Sequence, residues 1–367
     1  MNRIRLMMFG GFLGAGKTTS IARLAKEFQQ QGKRVAIITN DHASELVDTH
    51  RLRSEGLQVG EIPGGCFCGS VDVFLDALQQ LSVDERPDIV FIEPIGSCID
   101  LTATVIRPLL QHLGEQIEIA PYCVILKPSH GLKILKRQAK SGFSPQAEYI
   151  FLKQLEEADC LVLNRIDQLT DGEADELANL LQSHCPSVPV LRASATTGQG
   201  FDAIQEVLNQ QGRFGQRRVD VDYGQYAAGE AALAWLNGTF RVKASVPFNV
   251  DDLLRDCLML LKAAFSEFEA ETAHVKVIGL GQDSCGAANL VASHSPVEVT
   301  LKANHATTSM RLIVNARVAI ESAKLSDCLN RALHELANRY GIAIEDRFVQ
   351  CFQPGQPTVQ LVPLSLG

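Results

Sequence analysis

Through the first 212 residues, short runs of aliphatic and β-branched residues alternate with stretches whose apolar positions recur every three or four residues. The runs Ile4 to Phe9, Arg34 to Thr39, Asp88 to Glu93, Tyr122 to Leu126, Cys160 to Leu163 and Val188 to Leu191 read as strands, and residues 17–30 read as a helix. Alternation of this kind predicts βα units around a mainly parallel sheet, an α/β fold. Between about 208 and 228 the apolar periodicity stops, and Asn-Gln-Gln-Gly, Arg217-Arg218 and Gly224-Gln225-Tyr226-Ala227-Ala228-Gly229 supply breakers. A linker is therefore expected over 213–228, after a first domain at 1–212. Beyond it the pattern reads strand (Gly238 to Ala244), helix (Val250 to Phe268, with Leu253, Leu254, Cys257, Leu261 and Phe265 on one face), and strands at His274 to Leu280, Val297 to Ala303 and Met310 to Ala319. A helix at Leu325 to Tyr340 and a strand near Phe348 to Phe352 follow. This order predicts a smaller βαββαβ-like α+β domain, ferredoxin-like, over 229–367.

Composition narrows the partners. The 367 residues can bury two cores, and a formal net charge of −8 argues against a nucleic-acid binder, which needs an excess of Lys and Arg to neutralise phosphates. A small molecule or a protein client fits better. The 10 cysteines form no dense framework, so reduced thiols in a cytoplasmic protein are expected. No apolar run is long enough to span a bilayer, so no membrane role is expected.

The first motif with chemistry is Gly11-Phe12-Leu13-Gly14-Ala15-Gly16-Lys17-Thr18, which satisfies G-x-x-x-x-G-K-[ST] between an expected strand and an expected helix. Glycines let successive backbone N–H groups curl around a β-phosphate, and the helix N-terminus adds its positive end. Lys17 would reach the β and γ oxygens, and Thr18 would give its hydroxyl to Mg²⁺. The first domain is accordingly expected to be a P-loop NTPase domain.

Asn164-Arg165-Ile166-Asp167 follows an apolar strand, so these side chains emerge at a carboxyl end beside the ligand crevice. A carboxylate at Asp167 can accept from both N1–H and N2–H₂ of guanine, whereas adenine offers it no donor, which favours GTP over ATP. Arg165 stands where GTPases usually carry Lys; its stem can still pack over the phosphate loop and base. Ser194-Ala195, at the end of the next strand, completes a guanine pocket in which the Ala195 N–H would meet O6. Glu93-Pro94-Ile95-Gly96 has the E-x-x-G form: Glu93 would face Mg²⁺ through water, and Gly96 would offer its N–H to the γ-phosphate.

These motifs together resemble the CobW, UreG and HypB group of P-loop GTPases, which typically carry Glu in the second acidic box. The resemblance covers residues 1 to about 205 and includes Gly11 to Thr19, Thr39-Asn40-Asp41, Glu61-Ile62-Pro63-Gly64-Gly65-Cys66-Phe67-Cys68, Glu93 to Gly96, Asn164 to Asp167 and Ser194-Ala195. It implies a GTPase that delivers a metal or loads a metal-containing cofactor onto a client metalloenzyme or corrinoid protein, with GTP switching a homodimer between holding and releasing states. It also implies that Gly14 to Thr19 hold phosphates and Mg²⁺, that Asp41 belongs to the switch that approaches Mg²⁺ (directly or through water) or the attacking water and is catalytic with Lys17 and Glu93, and that Cys66 and Cys68 bind the cargo, Zn²⁺ or another transition metal. Gly69 stands where CobW-like chains commonly carry a third cysteine. The region after the linker differs from a standard CobW tail.

The spacing of Cys66 and Cys68 alone is weak evidence, and the pair also reads as redox-active or merely buried. Two thiolates half fill a tetrahedral Zn²⁺ site; a second chain, or His42 or His50, would complete it. Cys285, His274, His294, His305 and His334 read as ordinary fold residues, with Asn304-His305 in a turn. Two other readings stay open: a regulatory GTPase with structural cysteines, and a phosphotransferase acting on a small acceptor. With no evident arginine finger in the chain, turnover alone is expected to be slow, on the order of 10⁻³ s⁻¹.

Overall fold

Met7, Phe9, Ile37, Phe91, Ile125 and Val162 are inaccessible to solvent, as strands covered on both faces by helices require. They belong to β1 (Ile4–Gly10), β2 (Val35–Asp41), β4 (Ile89–Glu93), β6 (Cys123–Leu126) and β7 (Cys160–Leu163). The computed structural model describes residues 3–41, 52, 56–63, 71–81, 86–136, 143–282 and 284–354. Two units divide the chain, the first ending at Tyr226 and the second beginning at Ala227, with a short stretch at 142–147 grouped with the second.

In the first unit β3 (Gln58–Pro63), β5 (Ile117–Ile119) and β8 (Val190–Arg192) complete the sheet. Its order is β3-β2-β4-β1-β6-β7-β8, with β5 also on β1, and every pairing is parallel. The neighbours of β1 are β4 and β6, from which the sheet extends in opposite directions. A ligand crevice belongs at the carboxyl end of β1, where the chain leaves Gly10 for the glycine loop. Helix α1 (Lys17–Gln30) leads back from that point and buries Ile21, Leu24, Ala25 and Phe28 against the sheet at helical spacing.

The second unit is a six-stranded antiparallel sheet in the order β12-β11-β10-β13-β9-β14. Its strands are β9 (Ala234–Asn249), β10 (Thr272–Leu280), β11 (Cys285–Leu290), β12 (Glu298–Leu301), β13 (Ala306–Val318) and β14 (Ile342–Phe352). The four strands β14, β9, β13 and β10 run fourth, first, third, second in chain order, the ferredoxin-like arrangement, and β11 with β12 extend it beyond β10. Helices Val250–Ser266 and Ser322–Tyr340 bury Leu254, Cys257, Leu261, Leu329 and Leu336 in one core with Phe240, Val277 and Val314. Asn249 caps the first helix by accepting from Asp252 N at 3.0 Å, and Gly341 ends the second at φ 60°.

Strands β3, β5 and β11 are not among those the sequence pattern predicts. β11 is Cys-Gly-Ala-Ala-Asn-Leu, poor in β-formers, and becomes a strand because β10 and β12 pair with it on both sides. The breaker-rich stretch 213–228 has more structure than its text suggests. Helix Tyr223–Ala231 begins within it, Gly215 N donates to Asp159 Oδ2 at 2.6 Å, Arg217 Nε to Glu156 O at 3.2 Å, and Asp222 N to Tyr149 Oη at 2.8 Å. Asn304 has a φ of 48° just before β13, as a turn position does. No disulfide joins any of the 8 cysteines among the described residues.

Candidate functional site

Three glycines shape the loop after β1 by positive φ: Gly11 at 129°, Gly14 at 72° and Gly16 at 101°. A Cβ on Gly11 would enter the Ile125 carbonyl oxygen, and one on Gly16 would enter the Asn164 amide, so the backbone passes both neighbours at a distance only glycine permits. Lys17 and Thr18 follow as the first helical residues, both buried. Lys17 Nζ donates to Gly11 O at 2.9 Å across the mouth of the loop. Thr18 Oγ1 donates to Glu93 Oε1 at 2.9 Å, which brings the hydroxyl expected at a metal and the carboxylate expected beside it to one point.

Gly96 lies against the same loop. A Cβ there would stand 2.7 Å from Leu13 Cδ2 and 3.1 Å from the Leu13 backbone nitrogen. On the other side, Asn164 is buried and bridges two loops: its Nδ2 donates to Ala15 O at 2.8 Å, and its Oδ1 accepts from Ala195 N at 3.0 Å. Ser194 Oγ accepts from Thr197 N at 3.1 Å and is fully buried, which folds the loop back under Ala195. Asn164 is thus a clamp between the phosphate loop and the Ser194-Ala195 loop, a part its place in N-x-x-D does not reveal. Arg165 takes the left-handed conformation at φ 61°, Ile166 N donates to Ala193 O at 3.2 Å, and the tight turn Ile166–Gln168 presents Asp167 to solvent. Thr19 sits half-buried as the third residue of the helix, and Asp41 ends β2 opposite Pro63. Cys66, Cys68, His42 and His50 lie outside the described residues. Among the described residues no group of three or more His, Cys, Asp or Glu is placed to hold a metal, and no helix is long and apolar enough to cross a membrane.

The sequence reading missed Arg23 and the groups behind Gly96. Arg23 Nε donates to Ala195 O and its NH2 to Thr196 O, both at 3.0 Å, while its guanidinium lies 5.5 Å from the Phe201 ring centroid. An arginine on an exposed helix face carries no signal for this. Glu157 carries one, since it falls beside the apolar stripe of helix Pro145–Glu157. Its carboxyl is fully buried and is pushed up to about 7, first by that burial, with Thr102 N opposing the shift and the Asp100 charge adding to it. The unfolded chain gives up this proton near 4.5 while the folded chain keeps it to about 7, so stability from Glu157 is full below pH 4.5 and declines as pH rises to 7. Between pH 5 and 7.5 the wild-type protein should lose about 2–3 kcal/mol more stability than a Glu157→Gln variant, by urea denaturation at both pH values. Parallel curves for the two proteins would contradict the assignment.

A glycine loop between a central parallel strand and a helix, with Lys17, Thr18 and Glu93 converging on it, defines a P-loop nucleotide-binding domain. The CobW/HypB/UreG nucleotide-binding domain model matches residues 5–192, just over half of the chain, and the chain belongs to that family. It is 31% identical over 187 residues to the zinc chaperone YeiR of Escherichia coli K12, covering 49% of this chain and 52% of YeiR. It is 28% identical over 233 residues to the urease accessory protein UreG of Metallosphaera sedula, covering 59% of this chain and 97% of UreG. The chain therefore spans about half the length of YeiR and nearly all of UreG. Among solved structures, the hydrogenase maturation factor HypB of Archaeoglobus fulgidus is similar at 16% identity and a TM-score of 0.40, covering 57% of this chain and 91% of that one.

Proposed function

We propose that this protein binds GTP with Mg²⁺, hydrolyses it slowly, and uses the nucleotide state to gate the binding and delivery of a metal cargo. The observation that carries the nucleotide part is the 2.9 Å contact of Thr18 Oγ1 with Glu93 Oε1, beside a lysine spanning the loop mouth. When bound, Mg²⁺ supplies Lewis-acid polarisation of phosphate oxygens. Lys17 exchanges its bond to Gly11 O for the β and γ oxygens. Thr18 and Glu93 hold the ion, directly or through water, and Glu93 with Asp41 orients the attacking water. Gly14, Ala15, Gly16 and Thr19 offer backbone or hydroxyl donors to the phosphates, and Gly96 offers its N–H to the γ-phosphate. Asp167, Ala195 and the stem of Arg165 receive guanine. The working domain limits are 212 and 229, with the second domain contributing to client recognition or dimerisation.

The cargo is a soft divalent ion, Zn²⁺ first, held by Cys66 and Cys68, and the acceptor is a client metalloenzyme or cofactor protein. What supports this is the family together with the name of YeiR, a zinc chaperone. Nucleotide gating makes a reciprocal demand: a tenfold gain in metal affinity with GTP requires a tenfold gain in GTP affinity with metal, a coupling of about 1.4 kcal/mol. Zn²⁺ titrations of wild type and of Cys66→Ser/Cys68→Ser, each with GDP and with a non-hydrolysable GTP analogue, test both parts. Wild type should bind at least tenfold more tightly in one nucleotide state than in the other, and the double variant should lose the site. Equal affinity in both proteins rejects the cysteine site; equal affinity with both nucleotides rejects gating.

A further inference from the structure

The segment that follows Glu93 carries several departures from relaxed backbone within ten residues. Asp100 is buried and sits at φ 58°, a left-handed conformation that aspartate and asparagine adopt more readily than other side chains but that still departs from the relaxed backbone. Thr102–Ile106 winds as a π-helix, a geometry that recurs at functional bends, before the chain settles into the ordinary helix Arg107–Leu113. Thr104 N and Oγ1 donate to Asp100 O at 3.0 and 2.7 Å within the segment, and the rest of its contacts come from outside it.

Those contacts come from two elements. Gln154, 1% exposed, donates through Nε2 to Gly96 O at 3.0 Å and to Cys98 O at 2.9 Å. One turn further along the same helix, Glu157 Oε1 accepts from Thr102 N at 2.5 Å. From the start of helix Tyr223–Ala231, Tyr223 Oη donates to Asp100 Oδ2 at 2.6 Å. Asp222, the residue before it, accepts from Gly224 N and Gln225 N at 2.9 and 3.0 Å, which fixes where that helix begins.

We infer that Gln154 and Tyr223 are positioning residues that set Gly96 against the phosphate loop, so that discrimination between GTP and GDP depends on them. This rests on the reading of Gly96 as the group that meets the γ-phosphate. Neither residue touches the nucleotide. Gln154 fixes the Gly96 carbonyl, and with it the direction of the next peptide, while Tyr223 holds the strained Asp100 on which the segment pivots.

The test compares binding of GDP and of a non-hydrolysable GTP analogue, with Mg²⁺, to full-length wild type, Gln154→Leu, Tyr223→Phe, Asp100→Ala and Asp100→Asn. Losing the Tyr223–Asp100 hydrogen bond in Tyr223→Phe or Asp100→Ala, or the two bonds of Gln154 in Gln154→Leu, should lower the preference for the triphosphate by roughly three- to tenfold, while GDP affinity stays within about twofold. Asp100→Asn should keep the preference, because asparagine still accepts from Tyr223 Oη and tolerates a left-handed backbone. A merely structural role would weaken both nucleotides alike. Tyr223→Phe removes a single half-buried hydroxyl and keeps the test open should Gln154→Leu fail to fold. A wild-type preference retained in the folded Tyr223→Phe and Asp100→Ala proteins overturns the inference alone. Equal binding of the two nucleotides by wild type overturns the reading of Gly96, and this inference with it.

Discussion

Gly16→Ala should weaken GTP binding by roughly 10²–10³-fold, from one added methyl group. At φ 101° and ψ 23° the residue lies where an L side chain is strained, at a cost of about 1–2 kcal/mol. The new Cβ would also enter the Asn164 amide. That amide cannot retreat without breaking its bonds to Ala15 O at 2.8 Å and Ala195 N at 3.0 Å, worth about 1 kcal/mol each. The sum, about 3–4 kcal/mol, falls on the two loops proposed to hold phosphate and base, so affinity should suffer more than the fold. Asn164→Ala separates the parts: it removes the clamp without the backbone strain and should cost about thirtyfold, the two bonds at about 1 kcal/mol each. Gly32→Ala is the control for strain alone, since Gly32 has φ 79° with nothing within 4 Å of its added Cβ and lies at the far end of the helix. It should lose about 1 kcal/mol of stability and no affinity. Fluorescent-nucleotide titration with thermal denaturation reads all three, and wild-type affinity in Gly16→Ala would show that the loop does not hold the nucleotide as proposed.

The phosphate loop was legible because its chemistry is local. Gly11 to Thr18 and the flanking β1 and α1 are contiguous, and the helix occupies residues 17–30 as its pattern predicts. Glu93 and Asn164 were legible because parallel strands bring their carboxyl ends to one edge of the sheet, which the order of motifs implies without any coordinates. Gln154 lay within reach of the same reasoning: Ala147, Ile150 and Phe151 make a buried helical stripe, and a glutamine at position 154 of that stripe must find partners. What could not be read is which partners. Gly96 and Cys98 are more than fifty residues away, and nothing in periodicity pairs a helix side chain with a loop carbonyl at that separation. The stretch 213–228 misled for the complementary reason. Its glycines and charges read as breakers, yet its backbone is held by Asp159, Glu156 and Tyr149, residues whose own setting is fixed by the first unit.

Asp167→Asn should reverse base preference, lowering GTP affinity and raising that for xanthosine triphosphate, with a swing in their ratio of about 10⁴. Asp167 is placed by backbone, not by packing. The left-handed Arg165, the Ile166 N bond to Ala193 O at 3.2 Å and the Gln168 N bond to Arg165 O at 3.0 Å fix the turn, and none of them involves the carboxylate. Asparagine can therefore occupy the position without disturbing it. The carboxylate accepts twice from guanine, from N1–H and N2–H₂; the amide keeps one acceptor and turns a donor toward the second position, where guanine also donates. Xanthine carries a carbonyl at that carbon, which matches the amide and repels the carboxylate. Because an unmatched polar group in a base pocket costs more than a matched one gains, both halves of the exchange contribute, and the reversal should exceed either single change. Wild type should prefer GTP to ATP by a comparable margin. Competition of GTP, ATP and xanthosine triphosphate for one labelled nucleotide measures all of these ratios, and a wild-type protein that holds ATP as tightly as GTP would remove Asp167 from the base pocket.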